Sequence, residues 1–571
     1  MSRNPRKIED ILPLAPLQEG LLFHSVYDEG ELDPYVVQAS FDIDGQLDKT
    51  ALRAAATALL ARHSALRVAF RQRKNGDWAQ IVLQEVPLPW TETDFTDLPE
   101  ADRAQAADAA MVADRTARFD VTRPPLLRFT LLRLGPDLHR LVLTNHHLVL
   151  DGWSLPILMG ELFTLYENGG DTNSLPRARP YREYINWLAA QDREAARDAW
   201  RTAYADLTEP TPIAPEAGRT TVTSAAVQAT LSSADTRRLS ELARSSGVTL
   251  NTVVQTAWGV VLAKHTGRDD IVFGTTVSGR PPEIEGVERM VGLFINTVPT
   301  RVRLRPAETL GDLLTRVQDE HTRLAPHQHL ELAEIQRAIG QGELFDTSMV
   351  FQNYPVERAD VAGDGLGAGV RLTPGKDREA THYPLMLVGS ARDTMHFRLD
   401  YRPDVYDETT AQQILDRFVH IMHTLVADAA LPLGRLDVLT EPELERILGE
   451  WNETSEGVLG GSMLGLFGEQ VLLRGGAVAV RDGVGGVLTY GELDVRSDVV
   501  AGLLVGRGVG VGDVVGVGLP RSVDLLVVLL GVWKAGAGFV PLDVEFPVER
   551  LGFVVGDCGL GLLVTVGDLV G

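Results

Sequence analysis

Cysteine is almost missing from this chain of 571 residues, in which Cys558 is the single example. An intrachain disulfide framework and a metal site built from several cysteines are therefore both excluded. Cys558 lies in the run GDCGLGLLVT with no base nearby in the sequence. We interpret it as a small core residue, because unpaired cysteines are often buried.

Basic residues and long apolar runs are also scarce. Asp and Glu total 78 against 54 Lys and Arg, and the net charge of −24 repels nucleic acids and anionic membranes. No run of about 18 uncharged apolar residues occurs, and the longest candidate, 525–533, is followed at once by Lys534. The N-terminus has no apolar signal core. We expect a soluble, cytoplasmic protein whose partners are neither nucleic acids nor membranes.

Glycine divides the chain into two kinds of sequence. Residues 457–571 hold 27 of the 55 glycines, mixed with valine and leucine. Disorder requires low hydrophobicity, whereas this region has apolar runs of strand length at 514–519 and 525–530. It therefore predicts a separate α/β domain, with the boundary within 441–460.

The first 440 residues predict a mixed α/β body. Apolar residues recur at helical spacing over 249–264, and the runs 138–145 and 270–277 have the composition of strands. The polar stretch 170–182, which contains proline and arginine, is a candidate boundary between two lobes.

The most informative segment is NHHLVLDGWS, residues 145–154, which lies between an apolar strand and a helical pattern at 155–166. Side chains at such a strand end project into a cleft from a rigid base. Successive strand residues point to opposite faces, so only one of His146 and His147 can face a cleft. The residues alone leave packing or incidental polarity open as explanations. They fit a metal site poorly, because neighbouring strand residues diverge, and we expect no metal.

This segment resembles the HHxxxDG signature of the condensation domains of non-ribosomal peptide synthetases, which have a chloramphenicol-acetyltransferase-like fold. Other segments resemble further blocks of that family in the family's order: 13–25, 62–70, 181–192, 291–301, 327–336 and 345–355. The resemblance covers about residues 8–440. One departure is His329, which follows His327-Gln328 where the family's sixth block usually has an aspartate.

Residues 488–543 resemble the beginning of an amino-acid adenylation domain, because LTYGEL and WKAGAGFVPLD match its first two core blocks. Its later blocks are absent, so we expect no adenylation activity. The two resemblances together imply four segments. They are the N-terminal lobe (1–176) and C-terminal lobe (177–440) of a V-shaped condensation domain, a linker (441–460), and an incomplete α/β adenylation-type subdomain (461–571).

The resemblance implies that a peptide bond forms between a donor aminoacyl or peptidyl thioester and an acceptor aminoacyl thioester. No cofactor is expected to be bound covalently. Both substrates arrive on phosphopantetheine arms, one on an upstream donor carrier of another polypeptide and one on a downstream acceptor carrier. We expect His147 at the reaction centre, as a base or as an orienting group, with His146 in a structural role.

The rest of the motif implies supporting roles. Asp151 is expected to form a salt bridge with Arg62 or Arg67, which keeps its carboxylate ionised and a poor base. The Gly152 N–H is expected to help polarise the thioester carbonyl, and Trp153 to pack the turn.

Three alternatives share the fold. An epimerization domain has the same histidine pair but usually follows a carrier, whereas an adenylation-like segment follows here. A free-standing acyltransferase is disfavoured by that same segment. A silent, carrier-recruiting platform usually loses the motif residues, which are retained here. Residues 1–12 are expected either to help dock an upstream polypeptide or to be a frayed terminus, and the form of the first block favours a D-configured donor residue.

Overall fold

The computed structural model describes residues 7–27, 33–217, 222–352, 370–374, 383–457 and 460–567. The chain divides into two compact units, Met1–Gly449 and Glu450–Gly571. Three sequence-based expectations fall partly outside the described residues: positions 1–6 of the docking segment, 353–355 of the last motif and 458–459 of the linker.

Strands and helices alternate through the first half of the larger unit. In chain order they are β1 (Ile8–Leu12), α1 (Pro16–Tyr27), β2 (Val36–Asp44), α2 (Lys49–Arg62), β3 (Val68–Gln72), β4 (Trp78–Leu83), β5 (Trp90–Asp94), α3 (Glu100–Thr116), β6 (Leu127–Arg133), β7 (Leu138–His146), α4 (Ser154–Glu167), α5 (Arg182–Ala189) and α6 (Arg193–Ala203). β7 lies between β2 and β6 in the main sheet. Because a central strand is covered on both faces, β7 is buried over nearly all of its length, and the predicted strand at 138–145 is confirmed.

The second half is built around a six-stranded sheet. Its elements are β8 (Ala225–Leu231), α7 (Ser233–Ser245), α8 (Leu250–Thr266), β9 (Asp270–Val277), β10 (Asn296–Arg303), α9 (Leu310–Leu324), α10 (Leu332–Ile339), β11 (Thr347–Gln352), β12 (Arg371–Pro374), β13 (Leu385–Ala391), β14 (Met395–Tyr401), α11 (Glu408–Ala427) and α12 (Glu441–Leu448). The strand order is β10-β9-β11-β13-β14-β8. The predicted helix at 249–264 and strand at 270–277 are confirmed as α8 and β9.

Two segments of the second half pack onto the first. β12 pairs antiparallel with β2 and so extends the first half's main sheet. The loop between β9 and β10 places five side chains in the first half's hydrophobic core: Val287, Met290, Val291, Leu293 and Phe294. This loop, residues 278–295, is called the crossing loop below. It brings residues from the second half against the end of β7.

The smaller unit has its own α/β core. Its elements are α13 (Met463–Arg474), β15 (Val478–Arg481), β16 (Val487–Thr489), α14 (Tyr490–Val505), β17 (Val514–Gly518), α15 (Val523–Lys534), β18 (Gly538–Pro541), α16 (Val548–Asp557) and β19 (Leu563–Thr565). β18, β17 and β19 form a parallel sheet, and α15 lies in the crossover between β17 and β18.

Two sequence-based predictions are wrong in this unit. The apolar run 525–530 belongs to α15 and is not a strand, because a short apolar run does not distinguish a buried strand from a buried helix. Cys558 is exposed at the end of α16 and is not a core residue. Within the described residues, no helix has both the length and the apolar character needed to span a membrane.

The crossing loop requires glycine at its start. Gly279 has φ of +60°, and a Cβ there would overlap the Phe294 carbonyl oxygen. We expect Gly279→Ala to lower the free energy of unfolding well beyond the ~1 kcal/mol that a positive φ alone costs. Gly286→Ala is the matched control in the same loop, since its φ is +73° and the nearest atom is 3.6 Å away. Equal losses for both variants in urea denaturation would contradict this steric argument.

Candidate active site at the end of β7

The two histidines occupy different environments at the end of β7. His146 is the last residue of the strand and is fully buried, and its N–H donates to the Leu126 carbonyl at 2.9 Å. His147 begins the following turn, where its N–H donates to the Tyr35 carbonyl at 2.9 Å. The backbone of both neighbouring segments therefore fixes the positions of both imidazoles.

Hydrogen bonds assign the tautomer of His146. The Leu148 N–H donates to Nδ1 at 3.0 Å, so the ring proton is on Nε2. Nε2 lies 3.2 Å from Oδ2 of Asp33 and 2.9 Å from Oγ of Ser25. Burial tends to raise the pKa of Asp33, but the His146 hydrogen bond and charge outweigh it and leave that pKa below its usual value. Asp33 thus acts as a positioning residue for His146.

Ser25, His146 and Asp33 do not form a catalytic triad. In a triad the acid and the serine bond to opposite ring nitrogens of the histidine. Here both contact Nε2, and Nδ1 accepts a backbone N–H. His146 therefore has no lone pair facing the Ser25 hydroxyl, and this geometry does not activate Ser25 as a nucleophile.

His147 has the opposite arrangement. Its Nδ1 lies 3.1 Å from the Leu150 carbonyl oxygen, which can only accept a hydrogen bond. The proton of the neutral ring is therefore on Nδ1, and Nε2 has the lone pair. The half-buried side chain lines a cavity of about 1040 Å³, here called the His147 cavity. This tautomer suits a group that takes a proton from a substrate or orients it.

Asp151 is paired with an arginine that sequence reasoning did not identify. The Arg280 guanidinium donates to Asp151 Oδ1 at 3.2 Å, and both side chains are almost completely buried. The carboxylate also accepts from the N–H and hydroxyl of Ser154, at 2.8 and 2.7 Å, and from the Phe294 N–H at 2.9 Å. Arg280 further donates to the carbonyls of Val287 and Met290. The pair thus ties the turn after β7 to the crossing loop.

The predicted partners of Asp151 are wrong. Arg62 pairs with Glu161 at 2.9 Å, and Arg67 pairs with Glu9 at 2.6 Å. Both arginines lie at or just after the end of α2. The partner that the structure shows, Arg280, lies about 130 residues after Asp151 in the sequence. Arg280 lies between Gly279 and Pro281, and these two residues, which restrict the backbone, were the available signal in the sequence. No motif or regular spacing in the sequence indicated that Asp33 contacts His146.

The remaining motif residues lie where the turn enters α4. Gly152 is half-buried next to Asp151, and its role at a carbonyl stays a prediction. The Trp153 indole donates to the Glu288 carbonyl at 3.0 Å, and its ring lies 5.3 Å from the Arg280 guanidinium. Trp153 also lines a second cavity of about 630 Å³, here called the Trp153 cavity. It therefore does more than pack the turn.

The two cavities adjoin and differ in charge. Thr276 and Ile295 line both of them. Among the described residues around the Trp153 cavity there is no Asp, Glu, Lys or Arg, and burial lowers the pKa of His321 there to about 4. The His147 cavity, in contrast, is lined by three glutamates and one arginine: Glu19, Glu331, Glu343 and Arg337. The Trp153 cavity is therefore neutral, and the His147 cavity is acidic.

Within the described part of the chain, no three His, Cys, Asp or Glu side chains converge as metal ligands. The chemistry available at the end of β7 is therefore that of an imidazole beside two adjoining cavities.

A family model of the condensation domain matches residues 8–448, and one of the AMP-binding enzyme matches residues 467–570. The chain belongs to the condensation-domain family. The second match makes the smaller unit part of an AMP-binding domain. Mixed α/β architecture, predicted from the sequence, is confirmed for this condensation domain.

Curated relatives are synthetases much longer than this chain. Tyrocidine synthase 2 of Brevibacillus parabrevis is 32% identical over 99% of this chain and 16% of its own length. Bacitracin synthase 3 of Bacillus licheniformis is 33% identical over 98% of this chain and 9% of its own. Surfactin synthase subunit 3 of Bacillus subtilis is 31% identical over 98% of this chain and 44% of its own length. The chain thus spans less than half the length of each of these relatives.

Solved structures share the fold. A four-domain nonribosomal peptide synthetase bound to AMP and glycine superposes with a TM-score of 0.73 at 19% identity, covering all of this chain and 44% of that one. The first condensation domain of the calcium-dependent antibiotic synthetase gives a TM-score of 0.63 at 21% identity, covering 76% of this chain and 100% of that one.

The buried pair of Asp151 and Arg280 generates a stability prediction. We expect Arg280→Met to lower the free energy of unfolding by about 3–5 kcal/mol, because it leaves a buried carboxylate without its counter-ion. Arg289→Met removes an exposed guanidinium from the same loop and should cost less than about 0.5 kcal/mol. Urea denaturation measures both. Similar losses for the two variants would show that the pair does not anchor the loop.

The neutral state of His321 generates a prediction about pH. A histidine whose folded pKa is lowered binds its proton more readily when unfolded, so stability falls as the pH drops from about 6.5 towards 4. We expect His321→Asn to lose less stability than the wild type over this interval. Parallel stability curves for the two proteins from pH 7 to 5 would contradict a buried, neutral His321.

Proposed function

We propose that this condensation domain joins two carrier-bound substrates through an amide bond. A donor aminoacyl or peptidyl thioester and an acceptor aminoacyl thioester reach it on the phosphopantetheine arms of an upstream and a downstream carrier. The observation that carries the proposal is the position of His147. His147 lines a cavity that shares Thr276 and Ile295 with a second cavity, and its Nδ1 is bound to the Leu150 carbonyl. Two substrates entering from different cavities would meet beside one imidazole.

The reaction needs little from the protein beyond positioning and proton transfer. The acceptor ammonium first loses one proton to solvent, and the neutral nitrogen then attacks the donor carbonyl, so that a C–N bond forms and the C–S bond breaks. The proton leaves the nitrogen for Nε2 of His147 and passes to the departing thiolate, so the imidazole is regenerated. An ordinary imidazole pKa of about 6.5 suits this exchange. Proton transfer by a positioned side chain typically raises the rate of reaction by about 10²–10⁴-fold, and positioning of the two substrates raises it by as much or more.

Charge supports an assignment of the two cavities. A peptidyl thioester is uncharged at its reacting end and suits the neutral Trp153 cavity. An amine arrives largely as its ammonium, and the three glutamates of the His147 cavity attract it. We therefore assign the donor to the Trp153 cavity and the acceptor to the His147 cavity. The division of the domain into lobes at 176/177 is part of the same proposal.

The alternatives gain less support. Epimerization is disfavoured because the match to the condensation-domain model is followed by one to the AMP-binding enzyme model. A silent recruiting platform has no need for the tautomers that backbone groups impose on His146 and His147.

Peptide transfer between carriers tests the proposal directly. A donor carrier loaded with an L- or D-terminal dipeptidyl thioester and an acceptor carrier loaded with an aminoacyl thioester are mixed with the protein. Intact-mass spectrometry then follows the acceptor. We expect His147→Ala to slow transfer by at least about 10²-fold, because it removes the imidazole from the reaction centre.

His423→Ala is the matched control, since it removes an exposed imidazole from α11. It should transfer like the wild type. Exchange of the donor α-proton with solvent deuterium, without transfer to the acceptor, would contradict condensation and favour epimerization.

A further inference from the structure

Glu331 is unusual among the residues that line the His147 cavity. It is half-buried, directly before α10, and its carbonyl accepts the first hydrogen bonds of that helix from Glu334 and Ile335, both at 3.0 Å. Its side chain does not cap the helix. Instead, its carboxyl is hydrogen-bonded to that of Glu19 on α1. The contact with Glu19, and not capping of α10, therefore holds the Glu331 side chain at the cavity wall.

Two carboxyl groups can hydrogen-bond to each other only while they share a proton. Burial, followed by the negative charge of Glu19, raises the pKa of Glu331 to about 7. Arg337 opposes this shift, and Glu334 adds to it. Near pH 7, Glu331 is therefore protonated in about half of the molecules, and an organic cation can replace that proton.

Asn296 adds a third acceptor among the residues of the same cavity. Asn296 is 3% exposed and also lines the cavity. Its amide nitrogen donates to the carbonyls of Gln328 and Leu330, so the amide is fixed with Oδ1 on the other side. Oδ1 has no hydrogen-bond partner among the described residues. An unsatisfied buried acceptor on a residue that lines the same cavity as two carboxylates favours a ligand with several N–H groups.

The cation is not the attacking amine. An ammonium paired with a carboxylate has a raised pKa and no lone pair, so an amine held by Glu331 is unreactive. The group held there must be a second one on the same substrate, and a cavity of about 1040 Å³ has room for a long side chain as well as the reacting end.

We propose that Glu331, with Glu19 and Asn296 Oδ1, makes the His147 cavity selective for an acceptor residue whose side chain ends in a primary ammonium. This inference rests on the proposed function, because it takes that cavity as the acceptor side. It names the chemical class of the acceptor, which the condensation reaction alone leaves open.

Binding of two unreactive acceptors tests this selectivity. Lysyl and norleucyl pantetheine amides have side chains of similar length and differ by the terminal ammonium. By titration calorimetry at pH 7.5, we expect the wild type to bind the lysyl compound about tenfold more tightly. Glu331→Gln should remove this difference. Glu241→Gln, which removes an exposed carboxylate from α7, should retain it.

The pH dependence gives a second readout. The lysyl advantage should grow as the pH rises from 6 to 8, because Glu331 loses its proton over that interval. For Glu331→Gln, the ratio of the two affinities should not change with pH. His24 and His147 also line the cavity, but both are present in the wild type and in Glu331→Gln, so the comparison of the two proteins isolates the contribution of Glu331.

Two results would overturn the proposal. One is equal affinity of the wild type for both compounds. The other is a loss of affinity in Glu331→Gln by the same factor for both, which would mean that Glu331 holds the α-ammonium instead. Neither depends on turnover, so failure of the carrier-transfer assay would overturn the proposed function without deciding this question. Thermal unfolding of Glu331→Gln confirms that the compared proteins are folded.

Discussion

The ion pair between Asp151 and Arg280 is the interaction on which the site depends. Removing two charges from water is costly, and a buried pair stabilises a fold only when the remaining donors and acceptors are satisfied. Here Asp151 accepts from Ser154 and the Phe294 N–H, while Arg280 donates to backbone carbonyls of the crossing loop. One pair thus fixes the turn after β7, the start of α4 and the crossing loop together. The wall shared by the two cavities includes Ile295, directly after that loop's anchored segment.

Neighbouring histidines acquire different chemistry from the backbone around them. A carbonyl oxygen at Nδ1 of His147 and a backbone N–H at Nδ1 of His146 set opposite tautomers. One imidazole therefore has its lone pair on Nε2 beside a cavity, and the other donates from Nε2 to Asp33 in the interior. Backbone hydrogen bonds thus give two identical side chains different tautomers, which fits the role proposed for His147 and the contact of His146 with Asp33. The same geometry leaves Ser25 without a base.

Contrasting electrostatics complement this arrangement. A neutral cavity suits an uncharged thioester, and an acidic one concentrates an amine whose reaction requires that it give up a proton. In the acceptor selectivity proposed above, the pair of Glu331 and Glu19 exchanges a proton for a substrate cation in the same cavity. Under the proposed assignment, acidic groups in the wall of only one cavity direct the two substrates to different cavities. Condensation is directional, and this asymmetry matches it.

The sequence by itself determined the elements and the family. Apolar patterns identified α8, β7 and β9, because each is long and buried, and the motif at 145–154 pointed to the proposed reaction centre. The apolar pattern did not predict the helix at 525–530, because a short apolar run fits a strand and a helix equally well. Only the tertiary structure decided that Asp151 pairs with Arg280 rather than with Arg62 or Arg67, and that Asp33, Glu331 and Asn296 line or support the site. These contacts join residues tens to more than a hundred positions apart, and local patterns report periodicity and turns but not which distant segments a folded chain brings together.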